Sequence, residues 1–182
     1  MQRTIVAGAA LSGDALADLK QWLGITRDAE DAMLTGLLEA SLALCESFIG
    51  QAPLVQTIEE RVPAMRDTTQ LTSRPVQSLV SVEAVGALGV RLPVAAGDYR
   101  FAMDAGVGAT IALLRDQDAH AVAVRVESGL APDWASLPGA LRQGIIRMAA
   151  HHYRDRDGGH AGAPPPASVA ALWRPWRTVR LT

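Results

Sequence analysis

The sequence predicts an α+β protein, built as a helical bundle with an inserted small antiparallel β-sheet region and an extended C-terminal arm. Apolar residues recur at helical spacing near both ends of the chain and alternate at period two in its middle. Prolines and glycines separate the two patterns. We therefore expect an N-terminal extension over residues 1–11, a bundle core over 12–53 and 131–157, a strand-rich insert over 54–130, and a hinge with the arm over 158–182.

Two helices are predicted before the insert. The first covers residues 14–23, where leucines share one face, and Gly24 is predicted to end it. Asp28 is predicted to be the N-cap of the second, and Glu30 and Asp31 suit the positive end of the helix dipole. Gly50 is predicted to end this helix because glycine readily adopts the left-handed conformation of a helix C-terminus.

Five strands are predicted in the insert, and they are expected to form one small antiparallel sheet. The predicted strands are residues 55–62, 79–85, 98–103, 110–114 and 121–127. Gly106 and Gly108 lie between two of these strands and lack the third glycine of a dinucleotide-binding fingerprint, so they predict a hairpin turn.

The segment 131–157 is predicted to be the best-formed helix of the chain. Ser136 is expected to cap it, and Pro138 falls in its first turn, where a missing N–H does no harm. Arg147 lies opposite the apolar face of this helix. His152 lies on that apolar face, where a histidine of the core is expected.

The residue types argue against several classes of function. Cys45 is the only cysteine, which rules out an intramolecular disulfide and a cysteine zinc cluster. It lies on an apolar stripe, so a buried structural thiol is expected. No run approaches the roughly 18 consecutive apolar residues of a membrane span, so no membrane association is expected. The weak apolar stretch of residues 1–11 is a poor signal peptide, and we expect a cytoplasmic protein.

One polar cluster has the composition of a metal site. It contains His151, His152, Asp155, Asp157 and His160. His151 and Asp155 are four residues apart on a helix and permit a two-ligand clip, whereas adjacent histidines point about 100° apart. No catalytic residue, metal site or cofactor is assigned, and the chain is not expected to be an enzyme.

Charge is distributed unevenly along the chain. Residues 1–60 carry nine acidic residues against three basic ones, and residues 142–182 carry seven arginines against two acidic residues. Such polarity suits head-to-tail association of identical subunits. The predicted subunit interface pairs an acidic and a basic set: Asp28, Glu30 and Asp31 with Arg142, Arg147 and Arg154.

The C-terminal segment is rich in tryptophan and arginine, the composition of an interface hot spot. A triple proline precedes it, and no acidic residue follows Asp157. Two interpretations stay open: the segment folds back onto its own domain, or it docks into another protein. The docking residues would be Leu172, Trp173, Arg174, Pro175, Trp176, Arg177, Val179, Arg180 and Leu181.

The sequence resembles the head–tail connector (adaptor) family of long-tailed phages and phage-like gene transfer agents. The resemblance is carried by residues 16–25 (LADLKQWLGI) with 27–31 (RDAED), by 45–50 (CESFIG), by 133–138 (DWASLP) leading into 141–147 (LRQGIIR) and 151–154 (HHYR), and by the closing 172–181 (LWRPWRTVRL). Together these stretches cover about half of the chain. The strand-rich insert departs from the minimal members of the family, which are nearly all helical.

The resemblance implies a structural particle protein. It would form a homo-oligomeric ring of twelve copies below the portal protein, with the C-terminal arm docked on the portal. It would join the portal to a tail-side connector or stopper protein and surround a channel through which DNA passes without specific binding. Its location would be the bacterial cytoplasm during assembly and then the head–tail junction.

Two other classes of function compete with this interpretation. A small metal-dependent hydrolase would use the histidine cluster and would need further ligands from the strand-rich insert. A nucleic-acid-binding regulator would use the basic C-terminus, and its affinity for DNA would fall steeply with salt.

Overall fold

The computed structural model describes residues 2–104, 108–155 and 164–178. The chain divides into two compact units. Unit 1 comprises Met1–Ala9 and Val55–Gly129, and unit 2 comprises Ala10–Leu54 and Leu130–Thr182. The α+β class is confirmed, with four α-helices and two antiparallel sheets among the described residues.

Unit 1 contains the strands. They are β1 (Gln2–Ala7), β2 (Gln56–Pro63), β3 (Thr69–Gln70), β4 (Val76–Val85), β5 (Arg91–Pro93), β6 (Tyr99–Asp104), β7 (Gly108–Leu113) and β8 (Ala121–Ser128). One sheet has five strands in the order β1-β2-β8-β4-β5, and the other has three in the order β3-β7-β6. All of these strand pairs are antiparallel.

The core of unit 1 draws on both sheets. Ile58, Val124 and Val126 of the five-stranded sheet cluster with Ile111 and with other apolar residues of the two sheets. The alternation in β8 is the reason: every second residue of this strand is apolar and points to the same face.

One buried carboxylate lies on the apolar face of β2. Glu60 is fully buried, accepts hydrogen bonds from the backbone N–H groups of Thr72 (2.8 Å) and Ser73 (2.6 Å), and so holds the loop after β3 against β2.

The five predicted strands are confirmed, with ends shifted by up to three residues. The prediction of a single sheet is wrong, since the strands divide between two sheets. Three strands escaped prediction: β1, which lies within the predicted N-terminal extension, and the short β3 and β5. Asp104 pairs with Gly108 across β6 and β7, and the predicted turn residue Gly106 lies outside the described residues.

Unit 2 contains the helices. They are α1 (Gly13–Leu23), α2 (Asp31–Ile49), α3 (Gly139–Arg154) and α4 (Ala167–Trp173), and a 3₁₀ turn over Arg174–Trp176 follows α4. Gly24 and Gly50 end the first two helices in the left-handed conformation, as expected. In α2 the buried residues recur every three or four positions: Leu34, Leu38, Ser41, Cys45 and Ile49.

Two predicted helix starts are wrong. Asp28 is not the N-cap of α2, because Glu30 occupies that position and Asp28 pairs with Lys20 instead. Ser136 does not cap α3. It lies in a turn where its N–H donates to Asp133 (2.8 Å), and the helix begins only after Pro138, whose backbone is extended.

α2 is long and apolar enough, by length and composition alone, to cross a membrane. Its buried side chains pack within unit 2, where α2 contacts α1, α3 and α4. We therefore interpret α2 as the core helix of a globular unit.

Candidate functional site

The C-terminal segment packs on its own unit. Trp173 of α4 is fully buried, and its ring lies 5.8 Å from that of Phe48 in α2. It also contacts α3 at Gly144, where a side chain would collide with the indole. The absence of a side chain at this one position therefore makes room for the largest side chain of α4.

The contacts continue past α4. The carbonyl of Trp176 accepts a hydrogen bond from Gln51 (2.8 Å), and the N–H of Thr178 donates to the carbonyl of Ile49 (2.9 Å). The guanidinium of Arg177 lies 5.7 Å from the centre of the Phe48 ring. Residues up to 178 are thus tied to the end of α2.

These contacts change the role expected of Trp173. Its ring lies inside unit 2, so it is not an exposed contact for a partner, and its indole N–H has no acceptor among the described residues. The exposed residues of the segment are Arg174, Pro175 and Arg177, while Leu172 and Trp176 are half-buried. Val179, Arg180 and Leu181 lie outside the described residues.

A groove borders α1, α3 and α4 of unit 2. It encloses about 280 Å³ and is lined by Trp22, Arg147, His151, Arg154, Pro166, Ser168 and Val169. Trp22 is 44% exposed, and the guanidinium of Arg147 lies 5.5 Å from the centre of its ring. The Nε of Arg147 is buried and has no acceptor among the described residues. The described lining of the groove therefore combines an apolar ring with positive charge and includes no acidic residue.

The acidic residues of the predicted interface are engaged within unit 2. Lys20 donates to the carboxylates of Asp28 and Asp31 at 2.7 Å each. These bonds raise the pKa of Lys20 and lower that of Asp28. The Tyr153 hydroxyl of α3 donates to Glu30 (2.9 Å). The sequence could not show these pairings because the partners lie up to 123 positions apart.

The predicted basic residues of the interface lie along α3. Arg142 is half-buried, Arg147 stacks on Trp22, and Arg154 is exposed. Sequence reasoning found these arginines and missed Trp22 as their neighbour. The sequence feature that could have identified Trp22 is its position beside the apolar face of the short predicted helix.

His151, His152 and Asp155 of the polar cluster, and Cys45, are among the described residues of unit 2. No group of three or more His, Cys, Asp and Glu side chains within residues 2–104, 108–155 and 164–178 is arranged to hold a metal ion. Asp157 and His160 lie outside these ranges. Burial lowers the pKa of His152 and raises that of Cys45 to about 12, so Cys45 is the buried thiol that the sequence predicts.

Unit 1 has an ion cluster on the outer face of its five-stranded sheet. Arg91 donates to both carboxylate oxygens of Glu59 (2.7 and 2.8 Å), and Arg125 donates a third bond (3.0 Å). The hydrogen bonds from Arg91 lower the pKa of Glu59. The cluster joins β2, β8 and β5, and all of its charges are paired, which is typical of a structural role.

Comparison with solved structures gives full-length matches. The chain is similar to one in the neck of an empty gene transfer agent particle computed with C6 symmetry, with 30% identity, a TM-score of 0.80, and coverage of 100% of this chain and 98% of that one. It is similar at 29% identity to a chain in the neck of the native particle computed with C12 symmetry (TM-score 0.77) and to one in the native virion (TM-score 0.76), with the same coverage.

Neither a protein-family model nor a curated protein matches the sequence. The solved structures nevertheless define the class, because the match at 30% identity extends over both units and nearly the whole of the other chain. The fold is that of a neck component of a phage-like particle. The chain belongs to the head–tail connector (adaptor) family of gene transfer agents, as the sequence resemblance indicated.

Proposed function

We propose that this protein is a structural connector subunit at the head–tail junction of a phage-like gene transfer agent particle, where it joins the DNA-filled head to the tail. The observation that carries the proposal is the full-length similarity to chains of the particle neck.

The proposed assembly is a homo-oligomeric ring of twelve copies around a DNA channel. The similar neck structures were computed with C6 and C12 symmetry, which supports cyclic repetition of the chain. A ring needs two different surfaces on each subunit, so that one surface of a copy meets the other surface of the next. The ring would lie between the portal and a tail-side connector or stopper, after assembly in the bacterial cytoplasm.

The proposed portal contact is the end of the C-terminal segment. Burial of Trp173 anchors α4 on unit 2. Arg174, Pro175 and Arg177 are exposed there, and Val179, Arg180 and Leu181 come next in the sequence. Arginine and tryptophan are enriched in binding hot spots, and repetition around a ring multiplies a weak contact.

The test is removal of the gene from a producing bacterium. We expect heads filled with DNA and free tails, without joined particles, and restoration of joining by the intact gene. Cryo-electron microscopy of the restored particles should show the chain at the neck. Joined particles in the deletion strain, or a neck that lacks the chain, would contradict the proposal.

The portal contact needs a separate test. Deletion of residues 179–182 leaves every described contact of Trp173 in place, so unit 2 should stay folded. We expect this deletion, combined with Arg174→Ala and Arg177→Ala, to abolish pull-down by purified portal protein. Undiminished pull-down would place the portal contact elsewhere on the chain.

A further inference from the structure

The groove at Trp22 combines an exposed aromatic surface with two arginines. Arg147 and Arg154 line it, no acidic side chain is among its described lining residues, and Arg154 has no ion-pair partner among the described residues. Trp22 supplies an exposed apolar surface beside them. A ligand for this groove needs an apolar group for the indole and a negative charge for the arginines.

The outer face of α2 has the complementary features. Its exposed residues recur at helical spacing and fall on one side of the helix: Ala32, Met33, Gly36, Glu39, Ala40, Ala43 and Ser47. Met33 is 39% exposed, and Glu39 has no hydrogen-bond or ion-pair partner among the described residues. The remaining side chains are small, so a second surface can approach the helix closely.

The two surfaces belong to different elements of one unit, since no residue of α2 lines the groove. An association that joins two different surfaces is heterologous and closes into a ring when the rotation between copies is suitable. The acidic partner of the arginines is therefore sought on α2, because Asp28, Glu30 and Asp31 are already bonded within unit 2.

We propose that the outer face of α2 of one copy docks into the groove of the next copy, with Glu39 facing Arg147 and Arg154 and with Met33 against Trp22. The inference rests on the proposed ring and specifies its subunit contact. Compared with the interface predicted from the sequence, the acidic residues Asp28, Glu30 and Asp31 are replaced by Glu39. The basic residues of that interface, the arginines of α3, are retained.

Charge reversal tests the contact in particles made by the producing bacterium. We expect Glu39→Arg and Arg154→Glu each to reduce the yield of joined particles by about tenfold or more, because like charges across an interface repel. The chain with both reversals should recover to within roughly threefold of wild type, since the pair is restored with exchanged signs. Asp14→Arg is the matched control on α1, since Asp14 is also an exposed acid, and it should leave the yield unchanged.

Cross-linking provides a second measurement. Cys45 is buried and is the only native cysteine of the chain, so Glu39→Cys and Arg154→Cys introduce the only accessible thiols of this chain. With a flexible bismaleimide, particles with both substitutions should give a ladder of multimers, whereas either single substitution should stop at the monomer. Particles that retain the chain at the neck yet give no ladder, or no rescue by the double reversal, would overturn this contact and leave the connector function intact. A neck without the wild-type chain would instead overturn the proposed function.

Discussion

Gly144 is the residue at which the least change should have the largest effect on unit 2. A Cβ there would clash with Nε1 of Trp173 and lie 2.7 Å from Cδ1. We expect Gly144→Ala to lower the free energy of unfolding by about 1–3 kcal/mol, the usual cost of overpacking. All four tryptophans lie in unit 2, so tryptophan fluorescence during urea unfolding reports on this unit.

The matched control is Gly36→Ala in α2, where a Cβ meets nothing within 4 Å. It should raise stability by about 0.5–1 kcal/mol, because glycine is a poor helix former. Equal effects of the two substitutions would show that Trp173 does not pack against Gly144.

His152 should make the stability of unit 2 depend on pH. Its pKa is lowered from 6.5, chiefly by burial and further by His151, while Asp155 opposes the shift. The unfolded chain therefore binds a proton at a higher pH than the folded one, and the free energy of unfolding should fall as the pH drops through 6.5.

We expect His152→Gln to flatten this dependence between pH 7 and 5 in urea unfolding followed by fluorescence. His120→Gln, at an exposed position of unit 1, should leave the fluorescence transition unchanged. If the free energy of unfolding of His152→Gln depends on pH in the same way as that of wild type, His152 is not the cause of the pH dependence.

The helix α4 is the element for which the structure differs most from the docking role considered from the sequence, because its Trp173 is buried. Trp173→Ala removes a fully buried indole and should destabilise unit 2 by about 3–5 kcal/mol. Trp176 is half-buried, and Trp176→Ala should cost about 1 kcal/mol. Urea unfolding followed by circular dichroism measures both, and equal small losses would mean that α4 is not packed as described.

The ends of the helices and strands show which features could be predicted from the sequence and which could not. The left-handed glycines after α1 and α2 are local signals, and both were predicted correctly. The start of α3 was misjudged because Asp133 satisfies the N–H of Ser136 in a turn, which favours the same residue types as a helix cap. β1 and β5 were missed because each strand exists only through hydrogen bonds to a distant or longer partner.

The ion cluster on β2, β8 and β5 should stabilise unit 1 above acidic pH. The pKa of Glu59 is lowered from 4.5, so the contribution of its carboxylate is complete above that value and is lost as the pH falls through the lower folded pKa. Arg91 and Arg125 remain about one-third exposed, so we expect Glu59→Gln to cost only about 1.5–3 kcal/mol at pH 7.

Circular dichroism in the β-sheet region measures this effect, with Glu127→Gln as a control in the same sheet. Among the described residues Glu127 bonds only Ser78, which is uncharged, so this control should have a much smaller effect. If Glu59→Gln lowers the free energy of unfolding as much at strongly acidic pH as at pH 7, the stabilisation does not come from the ionised Glu59 carboxylate.

The charged residues are distributed differently in the folded molecule than along the sequence. The seven acidic residues of 10–54 and the seven arginines of 130–182 belong to the same unit. Several of these acids bond within that unit, so the contrast between the two ends of the chain does not translate into one acidic and one basic half. The sequence could identify arginines on α3 as a surface but could not tell which acids remained free to meet them.

The slight net negative charge of the chain predicts weak binding to DNA. A channel through which DNA moves must not hold it, and each phosphate that a protein neutralises adds salt-dependent affinity. The chain has a net charge of −2 and a single lysine, which bonds two aspartates. At physiological salt we expect no duplex binding tighter than about 10 µM in a gel-shift assay, which is the middle of the usual range of non-specific affinity. The variant Asp14→Arg with Glu39→Arg shifts the net charge from −2 to about +2, since each reversal adds two charges, and serves as the matched comparison. It should bind more tightly than wild type and lose that gain as salt rises. Tight binding by the wild-type chain with a steep salt dependence would favour a nucleic-acid-binding regulator over a passive channel.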